Sequence, residues 1–343
     1  MPHPPTAVPM SRRGLLALGA TAFGVLLTGC GTGEEGSSSA SPAKGGPWSF
    51  TDDRKTPVTA DAVPSRVVAF TGTAAALIDF GLDRQIVGVF GETTRKDGTL
   101  EPQAGDLDAG KVTVIGNAWG EFNIEKYAAL RPDLLVTHMY DPGALWYVPD
   151  ESKDKILRLA PSVAIGTARV LLTQPIERYA ELAASLGADL NAPKVAQAKA
   201  RFEKAAEAVR KAVERNPGLK VLAASASPDL LYVSNPKVNT DLVYFTELGV
   251  PVVVPDKPGE GGHFEELSWE NADKYDADVI LLDNRGTALQ PADLTAKPAW
   301  KELPAVKAGQ IAPWDPVPRF SYAGAAPLLE NLAQTIEKAR KLG

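Results

Sequence analysis

Short β-branched or aliphatic runs alternate along this chain with segments whose apolar positions recur at helical spacing. "SRVVAF" (65–70), "QIVGVFG" (85–91), "KVTVIG" (111–116), the run at 133–138 and "SVAI" (162–165) are nearly continuous in hydrophobicity. Strands covered on both faces have that character. Between them, "TAAALIDFG" (73–81) and 123–130 read as helices, the first stopped by Gly81. From Gln174 to Arg215 the pattern is helical alone. Ile176, Tyr179, Ala180, Leu182, Ala183 and Leu186 fall on one face, and a second helix over 194–215 ends at "NPG". The alternation then restarts, with strands at 220–227, 250–255, 278–284 and 309–314 and helices at 240–249, 268–277 and 323–341. The pattern predicts an α/β fold: two α/β lobes with mostly parallel sheets, bridged by one long helix. The lobes are expected over 56–172 and 191–343. The bridge is expected within 173–190, with the helix at 194–215 as the alternative.

One unit occurs twice. In "NIEKYAALRPDLLVTH" (123–138) Glu125 precedes Asp133 by eight positions, and in "SWENADKYDADVILLDN" (268–284) Glu270 precedes Asp278 by the same eight. An apolar run follows each Asp. The repetition predicts two similar lobes and a shared role for the two glutamates.

The chain has 343 residues and is 44% hydrophobic, enough to bury a sizeable core. Its net charge of −6, with no long basic run after Arg13, argues against a nucleic-acid partner. Cys30 is the single cysteine, which excludes an internal disulfide and a Cys-cluster metal site. Its setting, "SRRGLLALGATAFGVLLTGC", runs from a charged pair through an apolar stretch (Leu15 to Leu27) to small residues. That is the order of an export signal, and the stretch is short for a membrane span. "SRRGLL" resembles the twin-arginine motif, and "LTGC" resembles a bacterial lipobox whose cysteine is lipidated. Residues 1–29 are therefore expected to be a lipoprotein signal peptide. Residues 30–55, opening with the Gly- and Ser-rich 31–46, are expected to be a lipid-anchored flexible tether at the outer face of the cytoplasmic membrane.

Catalytic motifs are not found. "PGEGGH" (258–263) lacks the Lys-Ser/Thr of a phosphate-binding loop, and neither Gly-x-Ser-x-Gly nor His-Glu-x-x-His occurs. His138 and His263 fall where loops would face the gap between lobes; with a carboxylate they could hold a metal ion directly. Open α/β sheets bind ligands beyond the carboxyl ends of their strands. Trp119, Tyr140, Trp146 and Tyr147 stand there in the first half. Arg285, Trp314, Arg319, Phe320 and Tyr322 stand there in the second. Aromatic faces with arginines suit a bulky, partly apolar ligand that carries anionic oxygens.

The stretches "PSRVVAF…AAALIDFGLDRQIVGV", "FNIEKYAALRPDLLV", "APSV" (160–163), "LSWENADKYDADVILLDN" and "WKELPAVKAGQIAPW", in that order, resemble class III substrate-binding proteins of ABC transporters. Within that class the chain is similar to the ferric-siderophore and vitamin B12 binders. The resemblance covers about 64–341 and implies two lobes on a stiff helix with the ligand between them. It further implies a monomer with no cofactor that captures a ferric siderophore, hydroxamate type favoured, and delivers it to the permease subunits of an importer. Glu125 and Glu270 match the acids that engage permease arginines. Trp119, Tyr140, Trp146, His263, Arg285, Arg319, Phe320 and Tyr322 are the expected ligand-facing residues. Trp119 stands where the hydroxamate binders carry an arginine. Iron would arrive inside the siderophore. The alternatives are a corrinoid or haem binder, for which His138, Tyr140 or His263 would matter, a direct metal-ion binder, and a cell-envelope enzyme.

Overall fold

The computed structural model describes residues 46–342. The expected signal peptide, Cys30 and most of the expected tether lie outside them. The described chain opens on a hairpin of β1 (Trp48–Thr51) and β2 (Pro57–Ala60), so the folded body begins earlier than the Thr56 expected from composition. Trp48 and Phe50 explain the difference. Both are buried, and the Trp48 indole donates to Ser185 Oγ at 3.2 Å. The turn that follows caps an open sheet edge. Asp52 and Asp53 carboxylates accept the backbone N–H groups of Ala164 (3.0 Å) and Gly166 (2.8 Å), and Arg54 donates to the Ser162 carbonyl.

The first lobe is a five-stranded, wholly parallel sheet. Its strands are β3 (Val67–Phe70), β4 (Ile86–Phe90), β5 (Thr113–Gly116), β6 (Leu134–Met139) and β7 (Ser162–Gly166), arranged β5-β4-β3-β6-β7. Helices α1 (Thr71–Asp79), α2 (Ile124–Ala129) and α3 (Lys153–Leu157) connect the strands. Two longer helices follow, α4 (Thr173–Ser185) and α5 (Pro193–Arg215). The second lobe holds β8 (Val221–Ala226), β9 (Leu230–Ser234), β10 (Phe264–Ser268), β11 (Val279–Asp283) and β12 (Ile311–Trp314), arranged β10-β9-β8-β11-β12. Around it lie α6 (Thr240–Glu247), three short helices α7 (Pro291–Leu294), α8 (Pro298–Glu302) and α9 (Pro304–Lys307), and the closing α10 (Tyr322–Lys338).

The bridge between lobes is α5, the alternative choice, and not the segment 173–190. Helix α4 packs on α1, β1 and β7, all in the first lobe, and Tyr179 fixes it there through a 2.9 Å bond between its hydroxyl and Thr73. Helix α5 has 23 residues, a length of roughly 35 Å at ~1.5 Å per residue. Lys194 at its start acts on Asp79 of α1. Beyond its far end Asn216 Nδ2 donates to Ile336 O of α10 at 2.8 Å. Its apolar stripe of Phe202, Ala205, Ala206, Val209 and Ala212 is buried, largely against α10.

The second lobe does not repeat the first throughout. Strands β9 and β10 run antiparallel to their neighbours and were not foreseen in the sequence. The run at 250–255 makes a single bridge, Val221 to Val252, because Pro251 and Pro255 have no N–H for a ladder. The helix expected at 268–277 is one 3₁₀ turn, Trp269–Asn271, entered directly from β10, which extends to Ser268.

The repeated Asp acquires a structural meaning. Asp133, just before β6, accepts the N–H groups of Ser65 (2.9 Å) and Arg66 (2.8 Å) ahead of β3. Asp278, just before β11, accepts the N–H of Lys220 ahead of β8 at 2.8 Å. In both lobes one carboxylate ties the starts of two neighbouring parallel strands.

Candidate ligand-binding cleft

Strands β6, β8, β11 and β12 direct their carboxyl ends toward a cleft of about 670 Å³ between the lobes. Tyr140, Asp141 and Trp146 line it from the first lobe. Ser225, Tyr232, His263, Phe264, Glu266, Asp283, Arg285 and Thr287 line it from the second, and Val317 comes from the segment after β12. Of the residues expected from sequence, Tyr140, Trp146, His263 and Arg285 therefore meet in one place. A second hollow of about 440 Å³ shares Tyr140 and Trp146 with the cleft and carries Trp119 on its rim, 67% exposed and 5.0 Å from both Trp146 and Tyr147.

Arg319, Phe320 and Tyr322 do not line the cleft. The segment after β12 turns back onto the first lobe, burying Phe320 and half-burying Arg319 and Tyr322. Arg319 pairs with buried Asp79 at 3.2 Å, and its guanidinium occupies the space over Gly105 that any Cβ there would need. Phe320 is 2% exposed and stacks on Tyr179 at 6.0 Å. Tyr322 packs between Phe80 and Phe202. Position beyond a strand end, joined for Phe320 and Tyr322 by the resemblance to siderophore binders, was the signal for these three, and neither says anything of the direction the chain takes next. Of the lining residues that were missed, Tyr232, Phe264 and Glu266 sit on the antiparallel pair that the sequence pattern did not reveal, while Ser225 and Asp283 lie at the ends of strands that it did.

His138 is a second correction. It is 1% exposed, enclosed by Phe70 (4.9 Å), Tyr140 (5.0 Å), Phe320 (5.7 Å) and Trp146 (6.1 Å), and absent from the cleft lining. Burial pushes its pKa down to about 3, so the ring is neutral. It supports the two aromatic walls from behind. Among the described residues no group of three or more His, Cys, Asp or Glu side chains is arranged to hold a metal ion.

Two donors of the first-lobe side are unpaired among the described residues: Tyr140 Oη and Trp146 Nε1 are buried and have no hydrogen-bond partner there. Burial raises the Tyr140 pKa, which keeps its hydroxyl protonated. Arg285 stands nearby. Although burial opposes its charge, Asp283 holds it cationic through Nη2–Oδ2 and Nε–Oδ1 contacts of 2.7 and 3.1 Å. Asp283 in turn accepts from Ser225 Oγ at 2.6 Å. Asp315 lies close to Arg285 just after β12. Burial, opposed by the Val317 N–H and the Arg285 charge, raises its pKa to about 7.

Direct bonds join the lobes on both flanks of the cleft. On one, Arg95 donates to Asn284 O (2.9 Å), Gly286 N to Glu101 (3.3 Å) and Thr287 Oγ1 to Glu92 (3.2 Å). On the other, Asp141 meets His263 at 3.1 Å, and Arg169 reaches Asp141 (3.1 Å) and Gly261 O (2.6 Å). Glu125 and Glu270 lie elsewhere on the surface, both exposed, one in the first turn of α2 and the other in the 3₁₀ turn at Trp269–Asn271.

A cleft between two α/β lobes on a single connecting helix is the arrangement of a solute receptor. Residues 67–318 match the sequence model of the family described as periplasmic binding protein. The chain belongs to that family. Among solved structures it is similar to DesE, a ferric-siderophore receptor protein from Streptomyces coelicolor. The identity is 55% and the TM-score 0.83, over 86% of this chain and 100% of that one. The petrobactin-binding protein YclQ from Bacillus subtilis shares the fold at 19% identity and a TM-score of 0.63, covering 85% of this chain and 99% of its own. The haem-binding protein HmuT does so at 18% and 0.62, covering 87% and 93%. Comparison with curated protein sequences finds no match. Membership of the periplasmic binding protein family agrees with the resemblance drawn from sequence motifs and with the two-lobed fold.

Proposed function

We propose that this chain captures a ferric siderophore outside the cytoplasmic membrane and delivers it to an ABC importer, without covalent chemistry. The observation that carries this reading is the 55% identity to a ferric-siderophore receptor over the whole of that chain. The cleft fits it. Tyr140 Oη, Trp146 Nε1 and the Arg285 guanidinium offer donors to the oxygens of an iron complex, and the surrounding rings offer apolar contact.

The charge balance favours the hydroxamate type. The Arg285 charge is already met by Asp283, with Glu92 at 3.9 Å and Asp315 close by. Three hydroxamates neutralise a ferric ion, whereas three catecholates leave the complex strongly anionic. Among described residues the cleft has no spare cation for the latter. For haem, His138 is walled off and His263 is engaged by Asp141.

Delivery would use Glu125 and Glu270 as equivalent contacts for a two-fold permease, and Cys30 would carry the lipid that holds a monomeric receptor at the membrane. Titration of the purified protein with ferric siderophores, followed by tryptophan fluorescence, tests the reading. Tris-hydroxamate complexes are expected to quench at micromolar concentrations or below, with turnover of none. Silence toward every ferric siderophore would overturn it.

A further inference from the structure

Successive side chains of a strand point to opposite faces. On β10, Glu265 and Leu267 turn inward, while Phe264 and Glu266 face the cleft. Register with β9 sets Phe264 opposite Ser234 and Glu266 opposite Tyr232, and the Phe264 and Tyr232 rings meet edge to face at 5.2 Å. On this antiparallel pair the cleft thus meets two aromatic rings and one carboxylate. Phe264 is 40% exposed.

The two adjacent glutamates have opposite surroundings. Glu265 is buried and bonded to Lys274 Nζ and Tyr275 Oη, both at 2.5 Å; although burial opposes it, those bonds lower its pKa to about 2. Glu266 is exposed to the cleft and has no hydrogen bond or ion pair from its side chain among the described residues. The other formal charges lining the cleft are matched. Asp283 is held by Arg285, and Asp141 by Arg169 and His263. Glu266 is the uncompensated charge of the described cleft wall, and it lies on the wall across from the Tyr140 and Trp146 donors.

We propose that Glu266, with the faces of Tyr232 and Phe264, receives a protonated amine on the ligand and so selects complexes with a cationic arm. A carboxylate beside aromatic faces attracts an ammonium twice, through its charge and through the ring quadrupoles. The inference rests on the siderophore reading, and it adds the charge of the part of the ligand remote from iron.

The test compares a linear ferric tris-hydroxamate bearing a free terminal amine with the same complex N-acetylated. Binding to the wild type and to Glu266→Gln is followed by tryptophan quenching at low and moderate salt. The wild type is expected to prefer the amine form roughly three- to tenfold at low salt, less at moderate salt. Glu266→Gln is expected to bring that ratio near one. Equal binding of both complexes by the wild type, or a preference that the substitution leaves unchanged, would overturn the inference and leave the siderophore reading standing. Failure to bind either complex, or any other ferric siderophore, would overturn both.

Discussion

Asp315 gives the sharpest energetic prediction. Its carboxyl accepts one bond, from Val317 N at 3.0 Å, and lies where burial and the charges of Asp283 and Asp241 oppose ionisation more than Arg285 favours it. The pKa rises from 3.8 to about 7, so the folded protein holds this proton more tightly than the unfolded chain. The resulting stabilisation is complete below pH 3.8 and is lost as pH rises to about 7, beyond which the profile is flat. A shift of roughly three units corresponds to about 4 kcal/mol, at ~1.4 kcal/mol per unit. About two of those units lie above pH 5, or up to ~3 kcal/mol between pH 5 and pH 8. Asp315→Asn keeps the acceptor for Val317 N and removes the titration. Urea denaturation of both proteins at pH 5, 6, 7 and 8 should show the variant gaining up to that amount over the wild type as pH rises. Parallel profiles, with a difference independent of pH, would refute the reasoning. Asp241, raised to about 7 by burial, titrates in the same window in both proteins and leaves a residual slope in the variant.

Two more outcomes separate structural from functional residues. Phe320→Ala should cost about 3–5 kcal/mol of stability, as expected for a buried aromatic ring, and a urea midpoint near that of the wild type would return Phe320 to the ligand set. Glu125→Ala and Glu270→Ala should leave siderophore affinity intact while impairing uptake by whole cells; a severalfold loss of affinity in solution with normal uptake would end the docking role.

How far the sequence could be read follows from which interactions are local. Parallel strands covered on both faces announce themselves as apolar runs, and β3, β4, β6 and β11 lie within a residue or two of their expected places. The Glu-to-Asp echo was visible because both lobes use the same carboxylate to tie strand starts. Strands β9 and β10 were not visible. Only one face of β10 is buried, and "PGEGGH" just ahead of it reads as a loop. Tyr232, Phe264 and Glu266 went unseen with them. Helix choice failed for a related reason: 173–190 and 194–215 are both amphipathic, and only their neighbours show which one spans the lobes. Arg319, Phe320 and Tyr322 were misplaced because aromatic rings and arginines serve packing and recognition equally well.

The opening hairpin has a mechanical consequence. A pull on residue 46 enters β1, whose partner strand, docked tryptophan and following turn all attach to the first lobe, at β7 and α4. Arg178 of α4 adds a further rivet, bonded to Asp53 at 2.9 Å and lying over the Phe50 ring at 4.9 Å. The first anchors on that path therefore all lie in one lobe. Tension from the N-terminal side would first be met as shear between the hairpin and the edge of the first-lobe sheet, before it reaches any strand that lines the cleft from the second lobe.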